Sequence, residues 1–226
     1  IWTGGYSSGF CVLDRNTGEE LTSYSQKAGE LKSPVEHIYD IFKDSEGDVW
    51  LVGIHNVICY LTEERRFYEY TSQPVISVVE LSPGKMLLAC TYGLLLLDKA
   101  SGDLDLLLEG HLIQDLLVID KEIWLATQGD GLIRYNTENR SSQQITTKSG
   151  LPSDYVNSIL YSEDYLWAGT EKGLCRLTIS GCKIHTYSSV LAFSGFAFNA
   201  NACTQLKNGN LVYGTNRGAV MFAPDK

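Results

Sequence analysis

"DYLWAGTEKGLCRLT" (residues 164–178) holds two short apolar runs on either side of a Gly-Thr-x-x-Gly hinge. "KEIWLATQ" (121–128) and "EGDVWLVG" (46–53) repeat its first half, each with a tryptophan in a strand-sized apolar run after a polar turn. Such a tryptophan serves either as a platform for a ligand or as a mark of architecture. Set in register, the position reads Trp2, Trp50, Leu87, Trp124, Trp167 and Val212, at spacings of 37 to 48 residues. All four tryptophans of the chain fall on it, so their shared role is read as packing between repeated units.

A second strand follows each of these positions: GFCVLD (9–14), VICYLT (57–62), GLLLLD (93–98), GLIRYN (131–136), GLCRLT (173–178) and GAVMFA (218–223). Val57 stands where the others carry glycine, and Cys11, Cys59 and Cys175 align with Leu95, Ile133 and Val220. Small apolar packing accounts for these cysteines without reactivity. Polar turns come next (15–18, 99–102, 137–140), then alternating strands that end on Tyr24, Tyr70 and Tyr187. The following unit opens with one more strand, as in VNSIL (156–160). That makes four short strands per unit of about 40 residues, joined by turn chemistry and without a helical period.

One small twisted sheet cannot hide both faces from water, but a row of them stacked face to face can. The expected fold is therefore all-β, a β-propeller of four-stranded antiparallel blades. It is expected as one domain, a partial propeller or open arc of about five to six blades, at about 1–24, 35–70, 75–108, 113–145, 156–187 and 201–226. The first is expected to begin at its second strand and the last to stop after its third. The chain opens on Ile1-Trp2-Thr3, which reads as a strand interior, and shows no leader, so it is expected to be part of something longer.

Composition narrows the function classes. With 27 acidic against 18 basic residues the net charge is −9, which disfavours a nucleic-acid partner. No apolar run reaches the roughly 18 residues of a membrane helix. No C-x-x-C metal pair occurs among the six cysteines; Cys175 and Cys182 stand where a hairpin could bring them together, and the pairing is open.

The unit V-x-S-I-x-x-S-x-D-x-L-W-x-G-T-x-x-G-L-x-R over 156–176, and GLPSDYVNSI over 150–159, resemble the two-component regulator propeller repeat. The resemblance runs through the whole chain, and the stretch 196–226 is similar to a closing blade of that family. The third unit departs most, with Leu87 for tryptophan and ACTYGL for the Gly-Thr hinge. The family builds extracytoplasmic sensors of hybrid two-component histidine kinases, best known from Bacteroidetes. The resemblance therefore implies a periplasmic ligand-sensing domain, an oligosaccharide signal, and an immunoglobulin-like module, membrane helix and kinase elsewhere in the same protein. It also implies neighbouring domains and a homodimer partner. WD, quinoprotein and aspartate-box propellers fit worse, because Trp-Asp, the closing tryptophan and the Ser-x-Asp pattern are missing.

No catalytic constellation, metal set or cofactor motif is legible: His37, His55, His111 and His185 stand apart, and Asp44, Glu46 and Asp48 share a turn where they cap backbone amides. What remains is the loops between second and third strands. They share a face with the inter-blade loops and carry Tyr6, His55, Asn56, Tyr92, Gln128, Asp130, Lys172, Asn216 and Arg217. Variable tips on a rigid scaffold are where recognition is built, and amides with aromatic rings suit sugar hydroxyls and apolar sugar faces. These nine residues are the candidate ligand contacts, with no chemistry on the ligand. A propeller-fold lyase or glycosidase, or a protein-binding scaffold, are the rival readings.

Overall fold

A computed structural model describes residues 1–5, 9–24, 37–187 and 195–224. The architecture is all-β and of the propeller type, with six blades of consecutive antiparallel strands and one 3-10 turn at Thr147–Ser149. The blades fall into two compact units, residues 1–109 and 110–226.

In the first unit, blade 1 comprises β1 (Trp2–Gly4), β2 (Phe10–Leu13) and β3 (Glu20–Tyr24). Blade 2 comprises β4 (Asp40–Lys43), β5 (Val49–Val52), β6 (Val57–Leu61) and β7 (Arg66–Thr71). Blade 3 comprises β8 (Val75–Ser82), β9 (Lys85–Cys90), β10 (Gly93–Asp98) and β11 (Leu104–Glu109). In the second unit, blade 4 comprises β12 (Ile113–Ile119), β13 (Glu122–Thr127), β14 (Leu132–Asn136) and β15 (Ser142–Ile145). Blade 5 comprises β16 (Val156–Ser162), β17 (Tyr165–Thr170), β18 (Gly173–Thr178) and β19 (Ile184–Thr186). Blade 6 comprises β20 (Phe198–Gln205), β21 (Leu211–Thr215) and β22 (Gly218–Phe222). Among the described residues four blades thus have four strands and the two terminal ones three, and β20 begins at Phe198, three residues before the start expected at 201.

The indoles answer the opening question. Trp50 and Trp124 are 0% exposed and Trp167 is 2% exposed, which leaves no ring face for a ligand. Each turns toward the following blade. Trp50 packs with Val75, Val78 and Leu88 of blade 3, Trp124 with Val156, Ile159 and Leu166 of blade 5, and Trp167 with Phe198, Leu211 and Tyr213 of blade 6. Trp2 lies against Leu51 and Ile58 of blade 2. Strand alternation makes this possible: Trp124 and Ala126 point to one side of β13 while their neighbours point to the other. The fourth-strand tyrosines add to the contact, with Tyr70 stacked on Trp50 at 5.0 Å and Tyr187 on Trp167 at 5.6 Å.

Two residues after the tryptophan of blades 1 and 5 the next blade's inner strand comes so close that glycine is required, whereas Val52 and Ala126 hold that place in blades 2 and 4. A Cβ on Gly169 would lie 2.8 Å from both Phe198 Cβ and Ser158 Oγ, and one on Gly4 would lie 2.5 Å from Ile38 Cβ. This is the physical content of the Trp-x-Gly pattern. Carboxylates tie the inner strands of neighbouring blades together. Asp40 accepts hydrogen bonds from Ser77 Oγ (2.7 Å) and Val78 N (3.0 Å), and Asp115 accepts one from Ile159 N (2.8 Å).

The register corrects one alignment. Trp50 pairs with Cys59, whereas Trp167 pairs with Arg176 and Leu87 with Leu96. Cys59 is therefore the counterpart of Arg176 and faces blade 3, while Ile58 is the counterpart of Cys175 and faces blade 1. Asn56, not Val57, takes the glycine position: its carbonyl accepts from Gly53 N as that of Gly131 does from Thr127 N. The blade-2 hinge is therefore as long as that of blade 5, one residue shorter than an alignment on Val57 implies.

Trp50 differs from the others in one bond, donating from Nε1 to Asp44 Oδ2 at 2.9 Å, while the indole N–H groups of Trp124 and Trp167 have no partner. Trp167→Ala is expected to lower stability by about 3–5 kcal/mol as a core truncation. Trp50→Phe is expected to cost about 1–3 kcal/mol more than Trp167→Phe, because Asp44 is left short of a donor. Denaturant unfolding of the four proteins measures both.

Candidate functional site

The loops between second and third strands are held by one device in three blades. Thr127, Thr170 and Thr215 donate from Oγ1 to the carbonyls of Gly131, Gly173 and Gly218 at 2.7–2.9 Å. The same hydroxyls accept from Asp130 N, Lys172 N and Arg217 N, each at 3.2 Å. The threonine of the Gly-Thr hinge is thus buried and internally used, and it fixes the backbone from which the tip side chains project.

A second device ties each tip to the strand that opens its own blade. The N–H groups of Thr91, Gln128, Glu171 and Asn216 donate to the carbonyls of Pro74, Leu112, Tyr155 and Ala197 at 2.9–3.3 Å. In the second unit the inter-blade loop joins in: Asp154 O accepts from both Gly129 N (3.0 Å) and Gly131 N (2.8 Å), and its carboxylate accepts from Thr147 N (2.6 Å). Blade 4's tip and blade 5's entry loop are one hydrogen-bonded piece.

The nine sequence candidates separate on this frame. Tyr6 lies outside the described residues. In the first unit His55 is exposed, Asn56 is 1% exposed inside the hinge, and Tyr92 is exposed with its hydroxyl donating to Gln73 Oε1 at 3.2 Å. In the second unit Asp130 is engaged by His111 Nδ1 (2.8 Å) and by Gln144 Nε2, which donates to its carbonyl (2.9 Å). Asn216 accepts from Ala197 N through Oδ1 (3.2 Å), and Arg217 lies over the Phe196 ring at 5.8 Å. Gln128 and Lys172 are exposed, and Lys172 reaches only Glu171, at 3.7 Å. Tyr155, which the sequence reading passed over, is 44% exposed and forms an antiparallel bridge with Gln128.

The opposite end of the first unit shows what its acidic turn is for. Asp44 caps Asp48 N (2.8 Å) and Glu46 N (3.1 Å), as expected of a turn aspartate. Beyond that, Lys99 of blade 3 places its ammonium on Asp44 (2.7 Å), Glu46 (2.6 Å) and Asp48 (2.7 Å). Asp44, Asp48 and Cys59 are the one group among the described residues with ligand atoms clustered within 4.8 Å, and the lysine already neutralises its carboxylates. Burial pushes the Cys59 thiol far up and the Cys175 thiol up to about 12, so neither offers a thiolate. Cys175 and Cys182 are both free thiols.

Burial alone would raise the Asp44 carboxyl, but hydrogen bonds from Lys99, Trp50 and Asp48 N outweigh it and hold the group below its ordinary 3.8. Burial alone would lower Lys99, and the three carboxylates outweigh it and hold it above 10.5. A depressed carboxyl contributes stability above its unfolded pKa and loses it as pH falls through the folded one. A raised lysine contributes below its unfolded pKa and loses it only as pH rises past that value. The clasp is therefore at full strength from about pH 4 to about pH 10. Lys99→Met is expected to cost about 2–3 kcal/mol in that window, less than the roughly 3–5 of a fully buried pair because Glu46 is half exposed. The deficit should shrink as pH falls through the depressed pKa of Asp44, read from denaturant unfolding at pH 3, 5 and 8.

No protein-family model matches the chain. A curated relative, histidine kinase P4 of Formosa agariphila, is 39% identical over 66 residues, 27% of this chain and 5% of the relative. Among solved structures, the extracellular domain described as that of hybrid two component system BT4673 from B. thetaiotaomicron superposes with a TM-score of 0.73 at 18% identity. It covers 87% of this chain and 28% of that one. The extracellular domain described as that of hybrid two component system BT3049 from the same organism gives 0.62 at 21% identity, over 99% of this chain and 37% of that one. At these identities the likeness to the solved structures is one of fold, and the chain spans well under half the length of each of these three proteins.

Proposed function

We propose that this chain is a propeller segment of the extracytoplasmic sensor of a hybrid two-component system, and that its loop tips bind an oligosaccharide signal. The superposition on extracellular domains of such systems, over 87% and 99% of the chain, carries the reading. The identity to a histidine kinase over 66 residues supports it, as does the repeat pattern at 156–176. The chain itself acts as a binding module. The scaffold's polar groups are largely committed to holding the blades together, and His111 with Asp130 holds a loop. An acidic surface of net charge −9 suits an uncharged ligand better than a polyanion.

Signal transfer in this reading is a population shift. The bound oligosaccharide favours one arrangement of the propeller against neighbouring domains, or against a second copy of the receptor, and so biases a kinase elsewhere in the protein. The ligand can shift that balance only by its difference in affinity for the two arrangements.

Titration calorimetry of the chain against fragments of partially hydrolysed plant and algal polysaccharides is expected to show saturable binding, with the fragment recovered intact. Release of shorter or unsaturated products would favour a glycosidase or lyase. Absence of binding to any fragment, with capture of a protein partner instead, would favour a scaffold.

A further inference from the structure

Four structurally equivalent residues accept the N–H of their blade's tip: Pro74, Leu112, Tyr155 and Ala197. The carbonyl makes the bond, so the fold asks nothing of the side chain, and proline, leucine and alanine all serve. At Tyr155 an aromatic ring stands 44% exposed with no ring partner and no hydrogen bond to its hydroxyl among the described residues. Architecture accounts for the tryptophans of this chain; it does not account for this tyrosine.

The surroundings select a partner for it. Gln128 is the bridge partner of Tyr155, which sets the two Cβ atoms roughly 5 Å apart with both side chains leaving on the same side. The Gln128 amide has no partner among the described residues, whereas Asp130, Ser153, Asp154 and Asn216 are committed to internal bonds. Gly129 carries no side chain, and nothing lies within 4 Å of where one would project, so the approach to Gln128 is open. The backbone beneath is clamped by Gly129 N and Gly131 N on Asp154 O, by Tyr155 N on Ser153 Oγ (3.2 Å) and by Glu171 N on Tyr155 O (3.2 Å). Little conformational entropy remains to be lost on binding.

We propose that Tyr155 and Gln128 form a subsite for one uncharged pyranose ring. The apolar face of the sugar lies on the phenol ring, and vicinal hydroxyls exchange two hydrogen bonds with the amide, which offers one acceptor and two donors. Around it Lys172 stands against Glu171, and Asp130 and Asp154 add two further carboxylates, so the local charge disfavours a uronate or a sulfate. This subsite rests on the oligosaccharide reading above and names where within the second unit it is met.

The test uses the 226-residue chain, Tyr155→Ala, Tyr155→Phe and Gln128→Ala on a microarray of neutral glycan fragments, with the affinity for the best wild-type hit then measured by calorimetry. Tyr155→Ala is expected to weaken binding on the order of tenfold or more, and Gln128→Ala about fivefold. Tyr155→Phe is expected to stay within about threefold of wild type, since the ring is kept. Both side chains are exposed, so an unchanged thermal midpoint separates lost contact from lost fold. A wild-type hit whose affinity is unmoved by Tyr155→Ala and Gln128→Ala overturns the subsite and leaves the receptor reading standing. Equal losses in Tyr155→Phe and Tyr155→Ala overturn the stacking geometry. Binding of no neutral glycan by the wild-type chain overturns subsite and reading together.

Discussion

A four-stranded sheet of some 40 residues has two apolar faces and no core of its own, and every feature of this chain follows from covering those faces with the next sheet. The large indole does most of the covering in four of the six blades. It turns toward the following blade, and in blades 2 and 5 a tyrosine from the end of the blade stacks on it. In blades 1 and 5 the glycine two residues on answers to the same requirement, because two sheets packed through an indole at one level bring backbone against side chain at the next. Trp-x-Gly is one constraint written at two positions.

Polar bonds then set the stacked sheets in register. Asp40 and Asp115 each reach from one inner strand to a backbone amide of the next, and Lys99 joins three carboxylates of the neighbouring blade. These contacts are directional where the hydrophobic ones are not. The apolar faces supply most of the stability; the carboxylates choose among ways of stacking them. The acidic turn at 44–48 belongs to this second group, and its resemblance to a cation site comes from its being one, with the cation supplied by Lys99.

The threonine of the hinge divides the molecule into a part committed to folding and a part free to meet something else. Its hydroxyl is used up inside the loop, the tip N–H is used up on the blade's own entry strand, and only the outermost side chains are left over. Recognition on such a frame is preorganised.

The fold was legible from sequence because strand alternation and the tryptophan period are local signals that survive any variation in loop length. That also explains the one misreading of register: spacing alone aligned Cys59 with Cys175, and only the ladder revealed that the blade-2 hinge carries Asn56 in the glycine place. The candidate tips were legible as a class, by their place between second and third strands. Which of them are spent inside the protein was not. Asn56, Asp130 and Asn216 read in sequence like Gln128, and differ only in neighbours that are 19 residues away or are set by the hinge. Tyr155 escaped notice for the same reason, since a tyrosine before a strand looks like packing until its equivalents in the other blades are seen to be proline, leucine and alanine. By itself, then, the sequence determined the repeat, the strand order and the role of the indoles, all consequences of short-range periodicity. The tertiary structure alone decided which polar groups remain unspent, because hydrogen-bond partners come from segments that the sequence does not place side by side.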